Sequence, residues 1–337
     1  MTASLASGRA TGLVTLLALA FGAAAPARAQ EGSAGEGALF LLLPVGAQAV
    51  ALGRAMTAVE GPEAAFWNPA GLDGVNGNRF VVFRGDQVAG TATAASVLFA
   101  GANTGTIGAS YLLLDVGELD QTDDQGNVTG TISVRNHLGI LSGAATLVPG
   151  LTLGVNFKII QFRLSCRGDC QDAGTTASTY AFDVGILERV ADRFRIGAMV
   201  AHVGPKLQVL NFDQADPLPA RVRVAVAYDV IDFFTEREDF GGWITVEMQD
   251  RLRALGRPSL YLGSEFTAGT EEALALRAGY VFSDPLNRLQ GSDPEDGVRV
   301  GLGIKYQSLD LSIAKSLAVS NVTGETEPVH VTFSIGF

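Results

Sequence analysis

The sequence has few of the residues from which catalytic and metal sites are built. It contains two cysteines and three histidines, and the histidines, His137, His202 and His330, are widely spaced. It lacks a G-x-S-x-G nucleophile elbow, an H-E-x-x-H zinc motif and a Walker phosphate loop. We therefore predict that the protein is not an enzyme and that it holds no metal or cofactor.

Positive charge is also scarce. Lys and Arg number 24 against 35 Asp and Glu, and the net charge is −11. An acidic chain of this kind is a poor partner for nucleic acid, which attracts basic surfaces. At the same time 47% of the residues are hydrophobic and only 18% are charged, an apolar balance for an exported protein.

Long hydrophobic runs are missing after the first residues. Residues 13–21 are apolar, follow Arg9, and precede the small-residue sequence Ala27-Arg28-Ala29. This order is typical of a secretory signal peptide over residues 1–29, with the mature chain starting at Gln30. A membrane-spanning helix needs roughly 20 apolar residues, and every later run is too short. If the mature chain enters a membrane, it must do so as strands.

From residue 79 onward, apolar residues recur at every second position. Val298, Val300 and Leu302, for example, alternate with Arg299 and glycines. This period predicts β-strands with one oily face. We place them at 79–84, 92–100, 105–114, 132–147, 151–164, 178–189, 193–203, 219–230, 242–249, 258–267, 273–282, 297–307, 309–317 and 328–337.

The links between these strands distinguish a soluble sandwich from a barrel, because both architectures alternate in the same way. Short links mostly alternate with long polar ones, such as 115–131, 204–218 and 283–296. Short turns on one side of the membrane, long loops on the other and an even strand number are typical of bacterial outer-membrane barrels. We predict an all-β transmembrane barrel of about 14 antiparallel strands over residues 79–337. The link at 231–241 is an exception, because it is long where a short turn is expected. It is both acidic and aromatic, and it is either a docking element or a loop that buries its phenylalanines.

Residues 30–78 precede the strands and have a different pattern. Apolar residues at helical spacing predict a short helix over 46–59, and a turn signal, Asn68-Pro69-Ala70-Gly71, follows Phe66 and Trp67. Glycine at position 71 would supply a positive φ in that turn. On composition alone the segment is a core helix with a loop, or an aromatic wedge that fills a cavity.

The segment VGAQAVALGRAMTAVEGPEAAFWNPAGL resembles the start of the PorV/PorQ family, FadL-like outer-membrane barrels associated with type IX secretion. Gln48 stands where that family usually has Arg. The resemblance implies an N-terminal helical hatch inside the lumen. Its motif falls on Gly46, Gly53, Ala55, Ala58, Phe66, Trp67, Asn68, Pro69, Ala70 and Gly71.

Two further features concern export. Cys166 and Cys170 lie four positions apart, which favours a small loop disulfide in an oxidising compartment over two free thiols. The C-terminal VHVTFSIGF, with Phe333 and the terminal Phe337, resembles the signal by which the barrel assembly machinery recognises its substrates. We expect the protein in the outer membrane, with lipid and that machinery as partners.

Two functions are compatible with such a barrel. The PorV/PorQ resemblance implies a component of the type IX secretion machinery that binds, shuttles or retains exported proteins, or plugs a translocon. The alternative is a FadL-like transporter of hydrophobic small molecules, against which the sequence places Arg, Lys, Asp and Glu at several lumen positions. The predicted loops also carry clustered carboxylates, which are either simply solvated or bind calcium. The candidate calcium ligands are Asp123, Asp124, Asp293, Glu295 and Asp296.

Overall fold

Arg79 begins the first of fourteen antiparallel strands, and the last strand returns to pair with it. The structure is a computed structural model that describes residues 35–87, 90–101, 105–170, 174–191, 193–209, 215–235, 237, 239–283, 296–319 and 328–337. The signal peptide and cleavage site predicted for residues 1–29 lie outside this part of the chain. The strands are β1 Arg79–Gln87, β2 Gly90–Gly101, β3 Gly105–Thr122, β4 Val128–Val148, β5 Leu151–Gly168, β6 Gly174–Ala191, β7 Phe194–Val203, β8 Arg221–Asp229, β9 Phe240–Arg251, β10 Ser259–Ala268, β11 Glu272–Phe282, β12 Gly297–Tyr306, β13 Leu309–Ser316 and β14 Val329–Gly336.

The sheet is closed, as predicted. Strand β1 pairs on one side with β2, from Arg79 opposite Leu98 to Gln87 opposite Gly90, and on the other side with β14, where Arg79 lies opposite Gly336. Each strand between them pairs with the next one in the sequence. Closure leaves no unpaired strand edge, which a barrel in lipid requires because hydrocarbon offers no hydrogen bonds.

The outer face of the barrel is the apolar one. On β12, Val298 is 44% exposed and Ile304 49%, whereas Arg299 between them in the alternation is 3% exposed. Strand β8 follows the same rule, with Tyr228 outside and Arg221 buried inside. A soluble sandwich would bury the aliphatic face, so this inverted arrangement is that of an outer-membrane barrel.

The two ends of the barrel differ. Short connections, such as 149–150 between β4 and β5, lie at the turn end, where β1 begins and β14 finishes. The loop end carries the longer connections, for example the one between β7 and β8, in which Leu207 and Asp216 form an isolated bridge. The predicted alternation of short and long links is therefore present.

The prediction of a polar loop over 115–131 was wrong. Strand β3 continues to Thr122 and β4 starts at Val128, so the two strands extend the sheet as a long hairpin beyond a register shift between Asp115 and Glu118. The tip is closed by Asp123, whose carboxylate accepts hydrogen bonds from the backbone of Gln125 and Asn127 at 2.9 Å each. Local side-chain bonding of Asp to the following amides makes a compact turn where composition indicated a loop.

The link after β8 begins with a 3-10 turn, Ile231–Phe233. Phe233 and the following Phe234 are 76% and 79% exposed. The ring of Phe233 lies 6.4 Å from that of Tyr228 on the outer face of β8. The alternative in which this loop buries its phenylalanines was therefore wrong for Phe233 and Phe234, whereas Phe240 is half-buried, and the docking role stays a prediction.

The helix predicted over 46–59 is much shorter. Only Ala47–Ala51, α1, is α-helical. Gly53 and Arg54 follow with φ of 60° and 72°, a left-handed pair that ends the helix and turns the chain along the wall. The other helical pieces of this segment are 3-10 turns at Leu39–Leu42, Pro62–Phe66 and Pro69–Gly74.

Candidate functional site: the hatch in the lumen

Residues 35–78, which we call the hatch, cross the lumen from the loop end to the turn end. At the loop end Arg221 of β8 binds Glu36 through two hydrogen bonds of 2.7 Å, and Gly37 donates its amide to Pro217. At the turn end Asp73 accepts hydrogen bonds from Thr146 and Thr152. The chain then enters β1.

Helix α1 is stabilised by a carboxylate from further along the hatch. Glu63, 6% exposed, accepts hydrogen bonds from the amides of Gln48 at 3.2 Å and Ala49 at 2.9 Å, in the first turn of the helix. The hydroxyl of Thr332 on β14 donates to the same carboxylate at 2.8 Å and accepts the amide of Ala47 at 2.8 Å. Free helix amides attract an anion, so Glu63 joins two parts of the hatch and fastens both to the wall. Sequence reasoning missed this residue. Glu63 lies in the Pro62–Phe66 turn, and nothing in the sequence indicates that it binds the amides of α1.

Gly46 is required by this arrangement. Its φ is 106°, and a Cβ there would collide with the carboxyl group of Glu63. The side chain of Gln48 donates to Glu265 of β10 at 3.0 Å; Glu265 is also paired with Arg277. The position at which the resembled family usually carries Arg therefore meets a carboxylate in this chain.

Three glycines on neighbouring strands form a seat for the turn after α1. Gly263 of β10 lies directly opposite Gly279 of β11, and Gly301 of β12 is close by. A Cβ on Gly263 or Gly279 would collide with Leu52 and Gly53, and one on Gly301 would meet the Ala51 side chain. The backbone at Gly53 therefore packs directly against the wall.

A second glycine seat lies across the lumen. Gly154 of β5 is opposite Gly185 of β6, and Gly197 lies on β7. A Cβ on Gly154 would collide with the backbone of Pro69 and Ala70. A Cβ on Gly185 would collide with the Asn68 side-chain amide, and one on Gly197 with the Thr57 carbonyl. The backbone of the hatch can touch the wall only where the wall has no side chains.

The Trp67-Asn68 pair connects hatch to wall. The Trp67 indole, 4% exposed, donates to the Val45 carbonyl at 2.9 Å, and the Arg223 guanidinium lies 4.9 Å from its ring centroid. Asn68 caps the Pro69–Gly74 turn by accepting the Ala70 amide, and its own amide donates to Thr57 at 2.7 Å and to Ile186 of β6 at 3.1 Å. Asn68 therefore satisfies three backbone groups at once.

Gly71 serves a different purpose from the one predicted. It is not among the described glycines with positive φ. A Cβ there would approach the Val59 carbonyl oxygen to 2.5 Å and the Ala64 side chain to 3.0 Å. The reason for glycine is the close approach of two hatch segments, and not a left-handed turn.

The other residues of the predicted motif are buried or half-buried in the same segment. Ala55 packs against Tyr261 and Val281 of the wall, and Ala58 packs with Ala70 against Leu187 and Ala225. Pro69 is buried, and Phe66 is half-buried. The motif thus forms the contacts between hatch and barrel.

Charged side chains in the lumen are paired with one another or with the hatch. Lys158 and Asp183 are 2.6 Å apart, and Asp183 also accepts the His202 amide at 2.8 Å. Glu247 of β9 accepts the Thr57 amide at 2.8 Å. Near the turn end, Glu60 is bound by Arg189 and Arg195. Buried charges are tolerated only when paired in this way.

The loop half of the lumen is apolar along β1 to β6. Inward side chains of these strands surround the first part of the hatch and two residues of the loop between β7 and β8. The buried members are Phe40, Leu41, Val45, Phe83, Ala92, Ala94, Leu112, Leu114, Leu138, Ile140, Ile160, Ala177, Ala181, Leu207 and Leu218. An apolar inner wall is unusual for a water-filled pore, whose lining is polar.

The remaining predicted residues lie away from the lumen. Cys166, in β5, and Cys170 form a disulfide at the loop end. Phe333 is 41% exposed on the outer face of β14, and Phe337 is 65% exposed at the turn end, with its ring edge-on to Phe99 at 6.2 Å.

The described part of the chain contains no group of three or more His, Cys, Asp or Glu side chains that could hold a metal ion. Of the proposed calcium ligands, Asp293 and Glu295 lie outside it. No helix among the described residues is long and apolar enough to cross a membrane.

Comparison with solved structures identifies the fold. The CymD monoaromatic hydrocarbon channel superposes with a TM-score of 0.58 at 11% identity, over 88% of this chain and 98% of CymD. The Pseudomonas putida toluene transporter TodX gives 0.55 at 13% identity, over 86% of this chain and 96% of TodX. A Pseudomonas aeruginosa FadL homologue gives 0.48 at 11% identity, over 87% and 97% of the two chains.

No protein-family model and no curated protein sequence matches the chain. The likeness to CymD and TodX covers nearly the whole of each structure, and at this identity it establishes the fold alone. The predicted closed barrel of about 14 antiparallel strands is confirmed at that level, whereas the FadL-like and PorV/PorQ resemblances stay predictions. The chain has the closed, 14-stranded outer-membrane barrel fold of these channels, with a hatch in its lumen.

Proposed function

We propose that this protein is an outer-membrane channel for hydrophobic small molecules. The observation that carries the proposal is the apolar lining of the loop half of the lumen, from Phe83 on β1 to Ile160 on β5. Hydrophobic ligands bind in apolar clefts that a few polar groups orient. The similarity to a toluene transporter and to a monoaromatic hydrocarbon channel supports the same function.

The sequence places charged residues at several lumen positions, which argues against a path for hydrophobic molecules. In the structure Arg221 is engaged by Glu36, Lys158 by Asp183 and Arg277 by Glu265. These groups hold the hatch or one another, and the cluster of inward side chains in the loop half of β1 to β6 is apolar. We assign no catalytic step to the protein, and its proposed partners are outer-membrane lipid and the barrel assembly machinery.

The test is toluene uptake by intact cells whose own hydrophobe channels have been deleted. The wild-type protein is expected to raise the uptake rate above that of cells without it. Ile140→Asn places a polar amide on the apolar wall and should lower the rate, whereas Ile140→Leu at the same position should preserve it. Uptake that is the same with and without the wild-type protein would overturn the proposal.

A second candidate is the type IX secretion component implied by the PorV/PorQ resemblance. It is favoured by the exposed pair Phe233 and Phe234 at the turn end, a surface that a periplasmic or membrane partner could cover. Its test is photocrosslinking from position 234 in cells that contain the secretion machinery. Crosslinks to a secretion component or exported cargo, lost in Phe233→Ser, would support it; crosslinks to lipid alone would reject it.

A further inference from the structure

Two cavities lie in the lumen on different sides of the hatch. The first, of about 20 Å³, is in the loop half, where Leu112, Leu138 and Ile140 of the wall face Phe66 and Trp67. The second, of about 70 Å³, is near the turn end. Its lining includes Glu60, Arg195 and Trp243, together with Leu52 and Val59 of the hatch.

One compact group of side chains contributes to the walls of both cavities. Ala49, Leu52, Met56 and Trp67 are 0–4% exposed and pack together, with Val59 and Phe66 against them. Trp67 and Phe66 face the first cavity, while Leu52 and Val59 face the second. The group of Leu52, Met56 and Trp67, which we call the seal, therefore lies between the two.

Polar contacts hold the largest member of the seal in place. The Trp67 indole donates to the carbonyl of Val45, which also lines the first cavity, at 2.9 Å. The Arg223 guanidinium lies 4.9 Å from the centroid of the ring and 4.0 Å from Glu247, the residue that accepts the Thr57 amide. The indole is thus fixed between the hatch and β8.

We propose that Trp67, with Leu52 and Met56, is the barrier between the two cavities, and that displacement of its indole opens a passage through the hatch from the loop half to the turn end. The inference deepens the proposed function, on which it rests only for the class of molecule that crosses. Trp67 is then the residue that determines which sizes of hydrophobe pass.

The cavity sizes support a closed state. A volume of about 20 Å³ is enough for roughly one water molecule, which needs about 10–15 Å³ by the same kind of measure. No hydrocarbon ring fits there while the indole is in place. A route that instead left the barrel sideways between wall strands would bypass the seal and would not depend on Trp67.

Ion conductance in planar lipid bilayers tests the barrier without any hydrophobic substrate. The purified wild-type protein should show low conductance, and Trp67→Ala should raise it several-fold because the two cavities merge. Met56→Ala, which removes another buried member of the same seal, should raise it too and guards against a folding defect in the first variant. Leu98→Ala is the matched control, since it removes a buried side chain of β2 that lines neither cavity and lies outside the apolar wall of the loop half, and it should conduct like the wild type.

Two results would overturn the inference. One is a high steady conductance of the wild-type barrel, which would mean that no seal exists. The other is an unchanged conductance in either seal variant that inserts as a folded barrel. Because these readings need no toluene, a failed seal and a failed uptake function are distinguishable.

Discussion

Arg221 donates two hydrogen bonds of 2.7 Å to the carboxylate of Glu36, although 185 positions separate the two residues in the sequence. The guanidinium side chain is 1% exposed and the carboxylate side chain 17%. Paired bonds of this kind fix direction as well as distance, because both groups are planar. The first described part of the hatch is therefore anchored at the loop end, where entering molecules would meet it.

Glu36→Gln should release that end of the hatch. The amide can accept only one of the two bonds and leaves Arg221 buried with less compensation, at a local cost of about 1.5–3 kcal/mol. Hydrogen exchange at the Gly37 amide, which donates to Pro217, should become faster. Glu118→Gln on the exposed end of β3 serves as the control and should leave this exchange unchanged. Equal protection of Gly37 in the Glu36 variant and the wild type would contradict the anchoring role.

Gly154→Ala should displace the hatch from its seat. The new Cβ would collide with the backbone of Pro69 and Ala70, and overpacking of this kind costs about 1–3 kcal/mol. Protease added to detergent-solubilised barrels should cut the hatch faster than in the wild type. Gly139→Ala on the neighbouring strand β4 adds the same methyl group where nothing lies within 4 Å. If both variants were cut at one rate, the glycine seat would not hold the hatch.

Phe337→Ala should lower the amount of barrel inserted in cells and leave the refolded barrel nearly as heat-resistant as the wild type. The ring is 65% exposed and contacts Phe99 edge-on, an interaction of about 0.5–1.5 kcal/mol. Its backbone amide still donates to Asn78 in the variant. Phe99→Ala removes the same ring pair without changing the C-terminus, so it should cost similar stability but insert normally. Normal cellular insertion of the Phe337 variant would end the assembly role.

The hairpin tip between β3 and β4 should loosen in acid. A hydrogen bond from the Asn127 side chain, followed by backbone amides, lowers the pKa of the Asp123 carboxyl below its usual value. Since the folded state favours the ionised form, the contribution is complete above the ordinary pKa and is lost as the pH falls through the lowered one. Amide exchange at Gln125 and Asn127 should accelerate over that window, and Asp123→Asn should abolish the pH dependence. Constant protection of both amides down to strongly acidic pH would refute this assignment.

Strand positions and facing were predictable from the sequence, because a lipid-exposed wall must present an apolar residue at every second position. Val298 and Ile304 on β12 lie outside as the alternation indicated, and the strand starts at 79, 105, 151 and 309 agree with the structure. Hairpin length was less predictable. Polar residues such as those near Asp123 are equally compatible with a loop and with a strand pair that extends beyond the membrane.

The interior of the barrel was decided by tertiary structure. The chain has 41 glycines, and composition does not distinguish those that contact the hatch from the rest. Gly154 and Gly279 lie against the hatch, whereas a Cβ added to Gly139 would meet nothing within 4 Å. Nor does composition show that Glu63 caps α1 and binds Thr332, which lies 269 positions away. Each outward residue must be apolar because it contacts lipid, and this requirement does not depend on distant parts of the chain. It therefore appears in the local sequence pattern. A lumen contact depends on which distant strand faces the hatch, and that is known only once the barrel has closed.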